Sequence, residues 1–217
     1  MGIKKIIIFL LVASNLMAIS VENEGFKEAG ENYLYEINIP KIKSEDIKFQ
    51  TEFNRNMQKI KNNAIENILK ISQENGEDVS QNQLIIRYDD YTSEIGIASI
   101  VLETYEYTGG AHGMSNLSVF NLDSKTGKDI PIEEIIKPEG LNYLQNQIQK
   151  DIQNNLNGPS EEWIYFSDAK ADIKNAKIYF ENDFIVIVFG LYDIAPYSSG
   201  MSTFKYPLDK IKEFLLK

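Results

Sequence analysis

Phe49, Phe53, Met57, Ile60, Ala64 and Ile68 recur at steps of three and four residues, and this stripe constrains the fold more than any other stretch of the chain. Steps of that size place all six side chains on one face of a helix. The helix is expected to run for about thirty residues, with Ser44 as its N-cap and an end near Asn75-Gly76. Glu45 and Asp46 fall in a first turn whose dipole favours carboxylates. A helix that is apolar along a single face needs a second layer to bury it.

Strand-like segments on either side supply that layer. Asn32–Ile39 alternates Leu34, Glu36 and Asn38 against Tyr33, Tyr35, Ile37 and Ile39, the period-two pattern of a strand, and Pro40 is expected to end it. Leu84–Tyr88 reads as a short strand, with Asp89-Asp90 opening a turn. Glu94–Thr108 is longer, and its centre Ile97–Leu102 is apolar on both faces, as in a central strand covered on each side. Ser115–Leu122 follows, then a turn at 123–127 with Gly127 at the left-handed position. These three segments read as an antiparallel meander.

Pro131–Ile136 reads as a short helical turn, and Gly140–Leu156 as a second helix with Leu141, Leu144, Ile148, Ile152 and Leu156 on one side. Gly158-Pro159 breaks it. Ala176–Phe180 and Phe184–Phe189 flank a turn at Glu181-Asn182-Asp183, Thr203–Tyr206 is a further strand, and Pro207 opens a terminal helix with Ile211, Phe214 and Leu215 inward. Strands cluster instead of alternating with helices. The expected class is therefore α+β, with antiparallel sheet packed against one long N-terminal helix and further helices, and not a doubly wound fold.

The first twenty residues are expected to lie outside the fold. Lys4 and Lys5 form a basic n-region, Ile6–Ala18 an apolar h-region, and Ala18 and Ser20 put small residues at −3 and −1 of a cleavage site. An apolar run of this length spans roughly 20 Å, short of the ~30 Å hydrocarbon core, so a cleaved signal peptide is favoured over an anchor. No cysteine stands near the site to take a lipid. The mature chain would begin near Val21 and be secreted or periplasmic.

The formal charge of −10 argues against a nucleic-acid backbone or an anionic lipid surface as partner and suits a cationic one. Cysteine is absent, which removes disulfides, thiolate metal sites and a cysteine nucleophile together. One histidine and no cysteine cannot build a His₃, His₂Glu or HExxH zinc site, and no EF-hand-type loop is present. No cofactor is expected. Glu133-Glu134 and Glu161-Glu162 read as solvated faces, not as a glycosidase pair.

That histidine, His112, stands in Tyr105–Gly113, "YEYTGGAHG". A general base needs a nucleophile and an orienting carboxylate. Thr108, Ser115 and Ser118 are near in sequence, yet no nucleophile-elbow signature accompanies them. The competing reading is a tight connection in which Gly109, Gly110 and Gly113 serve the turn and His112 bonds backbone carbonyls. Tyrosines crowd this loop and a second one: Tyr105 and Tyr107 flank "TGGAHG", and Tyr192 and Tyr197 bracket Pro196 in "YDIAPYSSG". Tyrosines on Gly- and Pro-bearing loops suit a recognition surface, and they equally suit core packing with a hydroxyl at the edge.

"YTGGAHG" after an aromatic strand, then "FNLDSKTGK" and a short acidic helix, make one half of a pattern completed by "IYFENDFIVIVFGLYDIAPYSSGMSTFKYPLDKIKEFL". Together they resemble the bacterial extracytoplasmic domain of unknown function shared by the ectodomain of the anti-sigma-V factor RsiV and the N-terminal region of PdaC-type peptidoglycan deacetylases. The resemblance implies envelope binding instead of chemistry. In the anti-sigma relative the domain binds lysozyme, which is cationic. It also implies a division into a signal peptide at 1–20, a β-α subdomain at 21–82 like the PdaC region, and an α+β domain at 83–217 like that of the anti-sigma relative. Five residues precede the h-region and nothing follows Lys217, so neither anti-sigma nor deacetylase activity is expected.

The expectation is thus an exported, non-catalytic envelope-binding module without a metal. Its partner would be lysozyme, another cationic envelope protein, or peptidoglycan. Its candidate surface comprises Tyr105, Tyr107, Thr108, Gly109, Gly110, His112, Tyr192, Pro196 and Tyr197. The alternative is a wall-glycan or ester hydrolase using His112 and a loop hydroxyl.

Overall fold

The computed structural model describes residues 19–75 and 81–216. The h-region expected at 6–18 lies outside them. Ile19 and Ser20, expected to leave with the signal peptide, instead open the first strand, β1 (Ile19–Ala29), and Ile19 is buried. β1 is the one strand the sequence pattern hides. Its composition is polar, and it forms because its whole length pairs antiparallel with β2 (Tyr33–Ser44).

β2 runs straight through Pro40, where a stop was expected. The reason is directional. Asn54 bonds both the N–H (2.9 Å) and the C=O (3.0 Å) of Ile42, so those groups face away from β1. Pro40, two residues earlier, shares that orientation, and the pairing of β2 with the next strand ends at Ile37. Its missing N–H therefore costs no ladder bond.

The predicted helix is α1 (Ile47–Asn75). Its cap is Asp46, not Ser44. The Asp46 carboxylate accepts the Phe49 N–H at 3.0 Å, while Ser44 ends β2 and accepts the Asp46 N–H. At 1.5 Å per residue α1 is ~43 Å long, enough to carry the chain back and start β3 (Asn82–Thr92) parallel to β2. Antiparallel β4 (Ile97–Tyr107) and β5 (Met114–Asp123) complete a five-stranded sheet in the order β1-β2-β3-β4-β5. Phe53, Met57 and Ile68 of α1 are buried on it against Ile37, Ile39, Leu84, Ile86, Ile100 and Leu102. Asp89 and Asp90 do not open a turn. They lie within β3 opposite Val101 and Ile100, and the chain reverses at Ser93–Gly96, where Gly96 has φ +75°.

After α2 (Ile132–Ile135) and α3 (Pro138–Leu156), a second sheet forms from β6 (Lys177–Glu181), β7 (Phe184–Phe189) and β8 (Ser202–Pro207), all antiparallel. Leu144, Ile148 and Ile152 of α3 are buried with Ile178, Phe180, Ile185, Ile187, Phe189 and Phe204 in a second core. The expected terminal helix is a 3₁₀ helix, Leu208–Phe214.

A short polar relay joins the two sheets. The free edge of β6 meets the five-stranded sheet at Ser99, whose hydroxyl accepts the Phe180 N–H (3.0 Å) and donates to Asn121 Oδ1 (2.7 Å). The Asn121 amide then donates to the Ile178 C=O at 2.9 Å. Two buried polar side chains so satisfy backbone groups that would otherwise be orphaned at a buried sheet edge. Tyr91 stacks on Tyr179 beside them, centroids 5.3 Å apart. The five-stranded sheet is continuous across residues 82 and 83, where a subdomain boundary was expected, because β3 takes β2 and β4 as neighbours. Buried residues of the first core run from Ile19 to Leu122, and all those of the second except Ile97 follow them in the chain.

Candidate functional site

The β4–β5 connection is shaped by its glycines in two different ways. Gly109 (φ +105°) and Gly110 (φ +89°) hold left-handed conformations that side chains resist, and the Tyr107 hydroxyl donates to the Gly110 carbonyl at 3.0 Å. Gly113 is needed for space: a Cβ there would lie 2.3 Å from Cζ of Tyr105. Tyr105 and Tyr107 therefore belong to the last turn-ward residues of β4 and buttress the loop.

This loop delivers His112 to the second one. Nε2 lies 3.0 Å from the Tyr192 hydroxyl, and Nδ1 lies 3.1 Å from the Gly113 carbonyl. The carbonyl can only accept, so Nδ1–H donates to it, and Nε2 accepts from the Tyr192 O–H. The imidazole also stacks on Tyr197, with centroids 3.6 Å apart and planes at 15°. Tyr192 reaches this position from a left-handed backbone (φ +68°), which is uncommon for an aromatic residue and marks a locally constrained loop. Pro196 precedes the short 3₁₀ helix Tyr197–Ser199 that presents the Tyr197 ring. The two loops, eighty residues apart, thus meet around one imidazole. Thr108 lies exposed on the first loop, one residue before the glycine pair.

As chemistry, the arrangement is poor. Both imidazole nitrogens are taken up by a carbonyl and a phenol. Ser115, a hydroxyl weighed as nucleophile, donates to Glu103 at 2.7 Å instead. Among the described residues no three His, Asp or Glu side chains converge to hold a metal ion.

As a surface, it is richer than the sequence suggested. Tyr192 is 47% exposed, and a segment nobody would single out from periodicity lies beside it. Phe166 N–H donates to the Ile194 carbonyl (3.0 Å), and Ser199 donates to the Ile164 carbonyl (3.0 Å). This holds Trp163, Ile164 and Phe166 next to the Tyr192–Ser199 loop, with 40%, 49% and 37% of their surfaces exposed. Exposed Glu161, Glu162, Asp168 and Asp193 border the same two segments. The signal available in sequence was the apolar run Trp163–Phe166, separated by three residues from the helix-breaking Gly158-Pro159 and framed by acids.

Residues 26–115 match the family model described as deacetylase PdaC, and residues 133–209 match DUF3298, a protein family of unknown function. A crystal structure of a DUF3298 family member from Bacteroides fragilis shares the fold with a TM-score of 0.67 at 17% identity, covering 91% of this chain and 94% of that one. A DUF3298 family protein from Pseudomonas aeruginosa superposes with a TM-score of 0.54 at 15% identity, covering 92% and 94%. At these identities the likeness shows the fold alone. A search of curated proteins finds no match. The two family matches bear out the resemblance read from the paired loop motifs.

Proposed function

Starting from a chain in which a PdaC-like segment is followed by a DUF3298 segment, we propose a non-catalytic, extracytoplasmic binding module of the bacterial cell envelope. The observation that carries this reading is the junction of the two loops. A histidine is clamped between two tyrosines, and beside it stand an exposed tryptophan, isoleucine and phenylalanine with a border of carboxylates. Aromatic centres with polar rims are the usual anatomy of protein interfaces, and acidic rims accelerate encounter with basic partners. The partner proposed is lysozyme or another cationic wall hydrolase. The net charge of −10 supports it. Export rests on the Lys4-Lys5 n-region and the apolar run after it.

Titration calorimetry against lysozyme tests the proposal. Heat and retention at low ionic strength are expected, weakening at moderate salt as the rim charges are screened. Trp163→Ala and Tyr192→Ala should each weaken binding by about tenfold or more, as interface aromatics do. No heat and no retention at low salt would sink the lysozyme reading, and sedimentation with purified sacculi would then ask whether the wall itself is the ligand. His112→Ala separates this module from a hydrolase. Lost binding or a lower Tm without turnover fits the clamp, whereas lost turnover on a wall substrate at unchanged Tm fits a catalytic imidazole.

A further inference from the structure

β5 is the edge strand of the five-stranded sheet, and part of that edge is open. Its outward backbone groups can be assigned from its far end. The Asn121 C=O accepts the Ile130 N–H (2.7 Å) and the Asp123 N–H donates to Lys128 (2.8 Å), both away from β4. The β4–β5 register is one-to-one from Met114 to Asp123, without a bulge. Strand alternation then aims the N–H and C=O of Ser115, Leu117 and Val119 outward as well. Among the described residues these three meet no backbone partner on that side. Residues 128–130 cover the edge only from Asn121 onward.

Two cavities lie along this open stretch. The first, about 590 Å³, runs beside Ser115–Leu117 and is faced by Thr104, Glu106, Lys177 and Val188. The second, about 570 Å³, begins at Val119 and is lined mainly by Ile132, Ile136, Leu141, Ile173 and Ile178. Lys177 lines both, beside Glu106 and Asp193 in the first, while in the second Lys174 and Lys177 outnumber Glu133, and among the described residues neither lysine makes an ion pair.

We propose that this groove binds an extended peptide segment of another protein, which adds as a sixth strand to β5. Three donor–acceptor pairs at two-residue spacing match only an extended backbone, in the manner of strand addition at a sheet edge. The side chains of the added strand alternate between faces, so one apolar residue enters the second cavity while a carboxylate reaches Lys177 and Lys174. The partner segment is therefore β-prone, with an apolar and an acidic residue. The first cavity reaches Leu191 and Asp193, next to Tyr192, but the substitutions that test the groove, at Leu117 and Lys177, change none of the Trp163–Tyr192 surface's residues.

Random peptides displayed on phage are selected against the full chain, and recovered sequences are synthesised with a fluorophore for anisotropy. Recovered peptides are expected to carry an apolar and an acidic residue in a β-prone run. Leu117→Pro removes one outward N–H without touching the β4 ladder, as Pro40 does in β2, and Lys177→Glu reverses the central charge. Each should weaken binding about tenfold or more. In the unsubstituted chain, bound peptide should slow amide exchange at Ser115, Leu117 and Val119, a readout that stands even if Leu117→Pro fails to fold. The proposal is overturned if bound peptides leave those three amides unprotected, or if folded Leu117→Pro and Lys177→Glu both bind them unchanged. It is overturned equally if chitotetraose, and no peptide, shifts those amides. A dimer in light scattering that Leu117→Pro dissociates would assign the edge to a second copy instead.

Discussion

At the scale of single residues, the site turns on three positions whose roles differ from their first appearance. His112 looks like a general base in sequence, yet its nitrogens serve a carbonyl and a tyrosine, and its ring serves as a stacking surface. Gly109 and Gly110 have the conformational role that a tight connection implies. Gly113 has a packing role that no sequence rule shows, since the ring that needs its space belongs to Tyr105. Gly113→Ala should accordingly cost about 1–3 kcal/mol, the range for forcing an extra carbon into a packed position. Chemical denaturation measures it. Pairing it with Tyr105→Leu should recover part of the loss, and no recovery would mean that the loop backbone, not the ring, resists the methyl. Trp163 escaped attention because a lone exposed aromatic run carries no period. Only the hydrogen bonds that its neighbours Ile164 and Phe166 make with the Tyr192–Ser199 loop place it near the surface in question.

At the scale of elements, hydrophobic period located the helices and seven of the eight strands. The stripe Phe49–Ile68 and the both-faced Ile97–Leu102 were legible because burial imposes a pattern the chain cannot disguise. Three features were not legible, each for a tertiary reason. β1 is polar and exists through its partner, Pro40 is tolerated because of which way its absent N–H would point, and Asp89-Asp90 extends β3 because β4 pairs with it. The Ser99–Asn121 relay is another such feature. Removing the Ser99 hydroxyl leaves the buried Phe180 N–H without its acceptor, so Ser99→Ala should cost about 1–3 kcal/mol. Asn121→Ala should cost a similar amount, and the double variant should fall short of the sum, because the two residues share one network. Strict additivity in a double-mutant cycle would show that the relay does not couple the sheets.

At the scale of the whole molecule, stability should depend on alkaline pH through tyrosines that the fold keeps neutral. Glu28 accepts the hydroxyls of Tyr33 (2.6 Å) and Tyr35 (2.5 Å), which holds its own carboxyl below the usual range. The bond to Glu28, with some burial, pushes Tyr35 up to about 12. Burial between the sheets, with Tyr91 alongside, pushes Tyr179 up to about 12 as well. A raised folded value means the neutral hydroxyl is favoured by folding. This contribution is complete below the ordinary tyrosine pKa near 10 and is lost as pH rises through about 12. Absorbance titration at alkaline pH should show a late group of tyrosines ionising together with loss of circular dichroism, and Glu28→Gln should bring one step earlier. Tyrosines titrating as a single group near pH 10 in the folded chain would contradict it.

The sequence by itself determined the class of fold, the long helix and its buried face, the meander, the acidic charge and the absence of thiol chemistry, because these follow from local period and composition. The tertiary structure alone decided that the two loop motifs meet around one imidazole. A hydrogen bond between His112 and Tyr192, an aromatic face assembled from Trp163 to Phe166, and an open strand edge beside a cavity are all relations between residues far apart in the chain. Contacts of that kind are set by how layers pack and which edges remain unpaired, and no window along the sequence contains both partners.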